Sequence, residues 1–140
     1  MQRCLVLVLC YLSWAVATHA QPYAVPLVEL IAHPTESLEK YREGVITIGY
    51  LSFGAGDAPT LFLTRDHALA KDVTSAVYLA DDTVNDDIYG MKCDNEYVEV
   101  VGTLVFLGAR LNLSRIETIR RTEDSSFCFS RRRSDSAQSE

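Results

Sequence analysis

Beyond its first twenty residues, this 140-residue chain has no apolar run near the roughly twenty residues that span a bilayer as a helix. A membrane-spanning helix in the remaining body is thereby excluded. Basic charge is also scarce. From Gln21 to Arg120 there are 8 basic and 15 acidic residues, within a whole-chain net charge of −6. Nucleic acid is a poor partner for such a body, because phosphate binding needs a basic footprint that displaces counterions. Histidine occurs only as His19, His33 and His67, and no Cys or His pair has zinc-ligand spacing. No serine or cysteine has a recognisable nucleophile elbow around it, and no chemistry-bearing motif rises above background.

What is present begins with a leader. Arg3, an apolar run from Cys4 to Ala17 and small residues before Gln21 make residues 1–20 a secretory signal. Cleavage fits after Ala20 or after Ala17. The expected location is therefore the periplasm or the medium. Removing the leader takes Cys4 and Cys10 with it and leaves Cys93 and Cys128. An exported chain matures where disulfides persist, so these two either pair or remain free thiols. Between leader and tail, residues 21–120 have the length of one domain.

Pro26 suits the first turn of a short N-terminal helix over Leu27, Val28, Leu30 and Ile31, which His33-Pro34 should end. Thr35 can cap a further turn through Glu39. Strands are predicted at Val45–Phe53, Thr60–Leu63, Ser75–Leu79, Glu96–Leu107 and Leu113–Ile119. Leu113, Ile116 and Ile119 are the expected core contacts of the last strand. A turn cluster at 54–59, a helical insert at Asp66–Lys71 and a long acidic loop from Asp81 to Asn95 separate the others. From Arg121 to Glu140, serine, arginine and acids predict a disordered tail. No predicted helix is long enough to cross over between parallel strands. The fold class expected is therefore mainly β, a five-stranded antiparallel, partly open barrel.

Two stretches repeat one pattern: Val45-Ile46-Thr47-Ile48-Gly49-Tyr50-Leu51 and Tyr97-Val98-Glu99-Val100-Val101-Gly102-Thr103-Leu104. A lone glycine inside a β-branched strand marks a bend or a close backbone approach. With Pro26–Pro34, Thr60-Leu61-Phe62-Leu63 and Ile116-Glu117-Thr118-Ile119, these segments resemble small exported bacterial proteins of unassigned function. Those proteins carry a barrel of the oligonucleotide/oligosaccharide-binding (OB) type. The likeness runs over roughly Pro26 to Arg120. It implies an OB-like barrel and supplies no catalytic residues.

Chemistry-bearing residues are few. Asp66-His67 places a carboxylate beside an imidazole, but neighbours in sequence do not face one another on a helix, and a polar surface turn is the commoner setting. Asp81, Asp82, Asn85, Asp86, Asp87, Asp94 and Glu96 gather oxygen ligands, yet their spacing matches no EF-hand and a solvated loop is expected. No catalytic, metal or cofactor residues are therefore assigned. Tyr50, Phe53, Phe62, Tyr78, Tyr89 and Tyr97 are the aromatics available for stacking a sugar or base. Of these, Tyr50, Phe53, Phe62 and Tyr78 are taken as the ligand face, with core packing as the alternative for most. The expected function is an exported, non-enzymatic binding domain for a small molecule, glycan or protein. An envelope interaction module is the alternative, and a hydrolase using Asp66, His67 and an acid of the 81–87 loop ranks last.

Overall fold

A computed structural model describes residues 21–53, 58–87 and 93–131, together with the backbone course but not the side chains of 85–87. Residues 1–20, 54–57, 88–92 and 132–140 lie outside it, and with them the expected leader and most of the expected turn cluster.

The described chain opens on a strand, not a helix. Tyr23–Ala24 (β1) runs parallel to Val45–Ser52 (β2), so the residues ahead of Pro26 are part of the sheet. Two short helices connect them, Leu27–Ala32 (α1) and Pro34–Lys40 (α2). Pro34 begins α2 instead of merely ending α1, since a proline at the first helical position gives up an amide that would have no partner. A six-residue helix is too short to persist alone in water. Burial of Leu27 and Leu30 holds α1 in place, at about 1.5–3 kcal/mol for each side chain.

The remaining elements are Thr60–Phe62 (β3), Arg65–Leu69 (α3), Ala76–Leu79 (β4), Asp82–Asp87 (α4), Glu96–Leu107 (β5), Arg110–Arg121 (β6) and Phe127–Ser130 (β7). Hydrogen bonding follows the order β2-β3-β4-β6-β5, and β5 returns to β2 over Val45–Leu51, which closes a five-strand barrel. β1 and β7 are extra strands attached to β2 and β6. Two expectations change here. The barrel is closed, not partly open, because the β2–β5 ladder spans the length at which an opening would lie. It is also mixed, not purely antiparallel: β4 and β6 run parallel at Tyr78–Asn112 and Leu79–Leu113. After β4 the chain crosses through α4 to β5, and the β5–β6 hairpin brings β6 back beside β4 in the same direction. The acidic stretch read as a loop thus contains a helix.

Inside the barrel lie Leu51, Leu61, Val77, Leu79, Val98, Val100, Leu113, Ile116 and Ile119, all buried. The two glycines of the repeated pattern both sit in the β2–β5 ladder, Gly49 opposite Val98 and Gly102 opposite Val45. A methyl group on Gly49 would meet Leu61 Cγ at 2.6 Å, Leu27 Cδ2 at 2.8 Å and the Phe62 carbonyl at 2.8 Å. Its role is close approach. Gly102 stands at a register shift: Val101 pairs with Thr118 and Thr103 with Ser114, so Gly102 alone faces Arg115, Ile116 and Glu117. Arg115 takes a positive φ of 44° in this bulge, which turns Ile116 into the core.

The tail expectation fails from Arg121 to Ser130. β6 extends through Arg121, and β7 adds to it antiparallel with Phe129 buried. Two ties order this segment. Cys128 forms a disulfide with Cys93, with Cα atoms 6.0 Å apart. Arg131 pairs with Asp81.

Candidate functional site

The four residues assigned to a ligand face do not assemble into one. Tyr50 and Phe62 are opposite one another across β2 and β3. Strand parity puts Tyr50 on the outer face with Ile46 and Ile48, yet Tyr50 is buried while Ile48 is 53% exposed. The difference is α3, which folds back over that part of the sheet and joins Ala68 to Tyr50 and Phe62 in a small second cluster. Phe62, at 0% exposure, is core and presents nothing to a ligand. Phe53 packs partly against the main core, and its amide donates to Asp94 Oδ1 at 3.0 Å. Tyr78 is engaged with Arg110, whose Nη1 donates to its hydroxyl at 3.0 Å and whose guanidinium lies 5.6 Å from its ring centre.

Tyr50 does line a groove, of about 550 Å³, at the end of the barrel where β2 finishes and β5 starts. That is within the size range of small-ligand sites. Tyr97 is its exposed aromatic, packed edge-on against Tyr50 with ring centres 5.2 Å apart. The Tyr97 hydroxyl accepts from the Arg65 amide at 3.4 Å. Around the two rings stand Arg65, Asn95, Glu96, Arg121, Thr122 and Glu123.

Each wall has an identifiable cause. Thr64 ends the β3 run and caps α3, its hydroxyl accepting the His67 amide, which sets Arg65 as the first helical residue over the groove. Asn95 takes a positive φ of 62° and gives its amide to the Leu51 carbonyl at 2.9 Å, so β5 starts alongside the end of β2. Glu96 forms an ion pair with Arg121, whose guanidinium also donates to Ser126 Oγ at 2.9 Å. Thr122 donates from its amide at 3.1 Å and its hydroxyl at 3.2 Å to the Tyr97 carbonyl. The hairpin between β6 and β7 is thereby fastened to the start of β5.

Four of the other sequence candidates, His67, Asp81, Asp94 and Glu96, have structural partners. His67 Nδ1 lies 2.7 Å from Thr64 Oγ1, and among the described residues no hydrogen bond joins His67 to Asp66. Asp81 is buried and accepts from Thr83, Ile116 and Arg131. Asp94 and Glu96 are taken up by Phe53 and Arg121. Among the described residues no group of three His, Cys, Asp or Glu side chains is placed to hold a metal ion. Tyr89 and the side chains of Asn85, Asp86 and Asp87 lie outside the described residues. None of the described helices is long and apolar enough to cross a membrane.

Sequence reasoning counted Tyr97 among the aromatics but did not single it out. Its strand position alternates with the buried Val98 and Val100, which was the available signal. Arg65, Arg121 and Thr122 carried no local signal, because three separate segments bring them together. No protein family, no curated protein and no solved structure matches this chain.

Proposed function

We propose that this chain is an exported, non-enzymatic binding domain on an OB-like barrel, and that its ligand is a glycan seated in the Tyr50–Tyr97 groove. The observation that carries the reading is the exposed Tyr97 ring, 44% accessible, flanked by both donors and acceptors. A sugar presents an apolar ring face and a rim of hydroxyls. An exposed tyrosine takes the first, and Arg65, Asn95, Thr122 and Glu123 supply mixed donors and acceptors for the second. The OB-like assignment is supported by the barrel order, with the fifth barrel strand between the third and fourth, and by α4 standing between β4 and β5. The acidic body argues against nucleic acid, and His67 engaged with Thr64 argues against acid–base turnover. Export follows from the leader sequence alone.

The test is a titration with a panel of neutral and acidic oligosaccharides, read by amide chemical shifts. Binding should perturb Asn95, Tyr97 and Thr122 and weaken at least tenfold in Tyr97→Ala. Saccharide binding that is unaffected by that substitution, or no binding by any member of the panel, rejects the reading.

One observation favours a second reading, an envelope interaction module. On one edge of β2, β1 covers Val45–Ile46 and β3 covers Tyr50–Ser52, so among the described residues Thr47–Gly49 have no strand neighbour on that side. The exposed Ile48 and Val28 border this gap, where an extended segment of an envelope protein could add as a strand. Loss of partner capture in Ile48→Glu, with capture retained in Tyr97→Ala, would select it over glycan binding.

A further inference from the structure

We infer that Arg65 selects an acidic saccharide, its guanidinium taking the carboxylate of a uronic acid whose ring rests on Tyr97. The inference deepens the glycan reading of the Tyr50–Tyr97 groove and rests on it. Four charged side chains line that groove, and they are not equivalent. Glu96 and Arg121 neutralise one another, and Arg121 is also held by Ser126. Arg65 commits only its backbone amide, to the Tyr97 hydroxyl, and among the described residues its guanidinium has no ion pair or hydrogen bond. The Glu123 carboxylate is likewise unpaired among them. A guanidinium keeps its charge at every working pH, so Arg65 brings an uncompensated cation to the groove.

The two unpaired charges come from opposite walls. Arg65 follows β3 at the start of α3, and Glu123 follows β6, with β2 and β5 running between. Three strand spacings along the barrel wall amount to roughly 14 Å. Tyr97 lies across this interval, its hydroxyl at the Arg65 amide and its carbonyl bonded by Thr122. The groove therefore has a positive end beside the Tyr97 hydroxyl and a negative end beside Thr122.

A uronic acid carries its carboxylate on the rim of the sugar, between two apolar faces. With one face on the Tyr97 ring and that rim toward α3, the carboxylate accepts a forked pair of N–H bonds from Arg65. Hydroxyls on the opposite rim donate to Glu123. The reversed pose sets the carboxylate against Glu123, like charge on like. A neutral sugar makes no charge-assisted bond at Arg65. Asp66 follows Arg65 on α3 but does not line the groove, and consecutive helical residues do not face one another. The chain's net charge of −6 acts from farther away, where salt at 0.1 M screens it beyond about 10 Å.

Short galacturonate, glucuronate and mannuronate oligomers, each titrated beside its methyl ester, test the assignment. The esters keep the sugar ring and lose the charge. At least one acid should bind about tenfold or more tightly than its ester and shift the Arg65 Nε–H resonance. Arg65→Met keeps the apolar stem at an exposed position, and it should bring that acid and its ester within about twofold of one another. Arg65→Lys should restore part of the preference, since it returns the charge without the fork. Equal affinity of acid and ester in the unaltered chain overturns the inference, and so does a preference that survives Arg65→Met. Either result leaves the glycan reading standing wherever binding still weakens in Tyr97→Ala. Binding confined to neutral oligosaccharides likewise overturns the role of Arg65 alone, whereas no saccharide binding at all rejects the glycan reading and this inference with it.

Discussion

The Asp81 carboxylate and the Arg131 guanidinium meet at 2.5 Å, and between them they satisfy both backbone groups of Ile116. The Ile116 amide donates to Asp81 Oδ2 at 2.6 Å, and its carbonyl accepts from Arg131 Nε at 3.0 Å. Both groups sit in the bulge opposite Gly102, where the β5–β6 ladder has no partner to offer them. Side chains from β7's end and from the β4–α4 junction replace the missing strand bonds.

Asp81→Ala therefore leaves a buried amide and a guanidinium without their acceptor and should cost about 2–4 kcal/mol in chemical denaturation. Asp81→Asn keeps an oxygen for the Ile116 amide and should cost less. Arg131 is about one-third exposed, so water can replace it at the Ile116 carbonyl, and Arg131→Ala should cost only about 1 kcal/mol. Equal losses for the two alanine variants would show that Ile116 does not depend on Asp81 in this way.

The strands were legible in the sequence because β-branched runs bounded by turn residues report themselves locally. β5 occupies Glu96–Leu107 as expected, and Gly49 and Gly102 mark the crowded and bulged points of one ladder. What was not legible depends on contacts between distant segments. The parallel β4–β6 pair follows from the path of the whole β5–β6 hairpin, not from any feature of Ala76–Leu79. Tyr50 is a ligand-face aromatic by sequence, with core packing as the alternative, and only the return of α3 reveals that Ala68 covers it. The serine- and arginine-rich composition after Arg121 hid β7, whose order comes from Cys93 and Asp81 elsewhere in the chain.

Glycine is required at Gly49 for space and at Gly108 for conformation, and the two requirements separate by mutation. Gly49→Ala forces Leu61, Leu27 and the Phe62 carbonyl apart, and a backbone oxygen has little room to yield. A loss of about 1–3 kcal/mol is expected. Gly108 turns the β5–β6 hairpin with φ +64° and open space around it, so Gly108→Ala should cost about 1 kcal/mol and Gly108→Asn less, since asparagine tolerates that region. Thermal unfolding of the three variants ranks them, and a neutral Gly49→Ala would remove the close-approach argument.

Asp72 organises the turn leading into β4. Its carboxylate accepts from Thr74 Oγ1 at 2.5 Å and from Ser75 Oγ at 2.8 Å, and these bonds, that of Thr74 foremost, hold its pKa below the ordinary 3.8. A carboxyl whose folded pKa is lowered contributes stability that is complete above its unfolded value and is lost as the pH falls through the folded one. The Asp72 carbon resonance should accordingly titrate with a midpoint below 3.8, and Thr74→Ala should move it back upward. A midpoint at or above 3.8 in the unaltered chain would contradict the geometry.

The two phenylalanines of β7 distinguish a docked strand from a loose terminus. Phe129 is 2% exposed and packs with the barrel core, whereas Phe127 is 51% exposed. Phe129→Ala removes a buried ring opposite Ile119 and should cost about 3–5 kcal/mol, while Phe127→Ala should stay within about 0.5 kcal/mol of the unaltered chain. Removing everything after Arg121 deletes Phe129, Cys128 and Arg131 together. It should therefore lower the melting temperature of the whole barrel instead of trimming a passive end. Urea unfolding of the two point variants beside that truncation decides the matter, because a terminus that merely trails from the barrel would leave all three as stable as the parent.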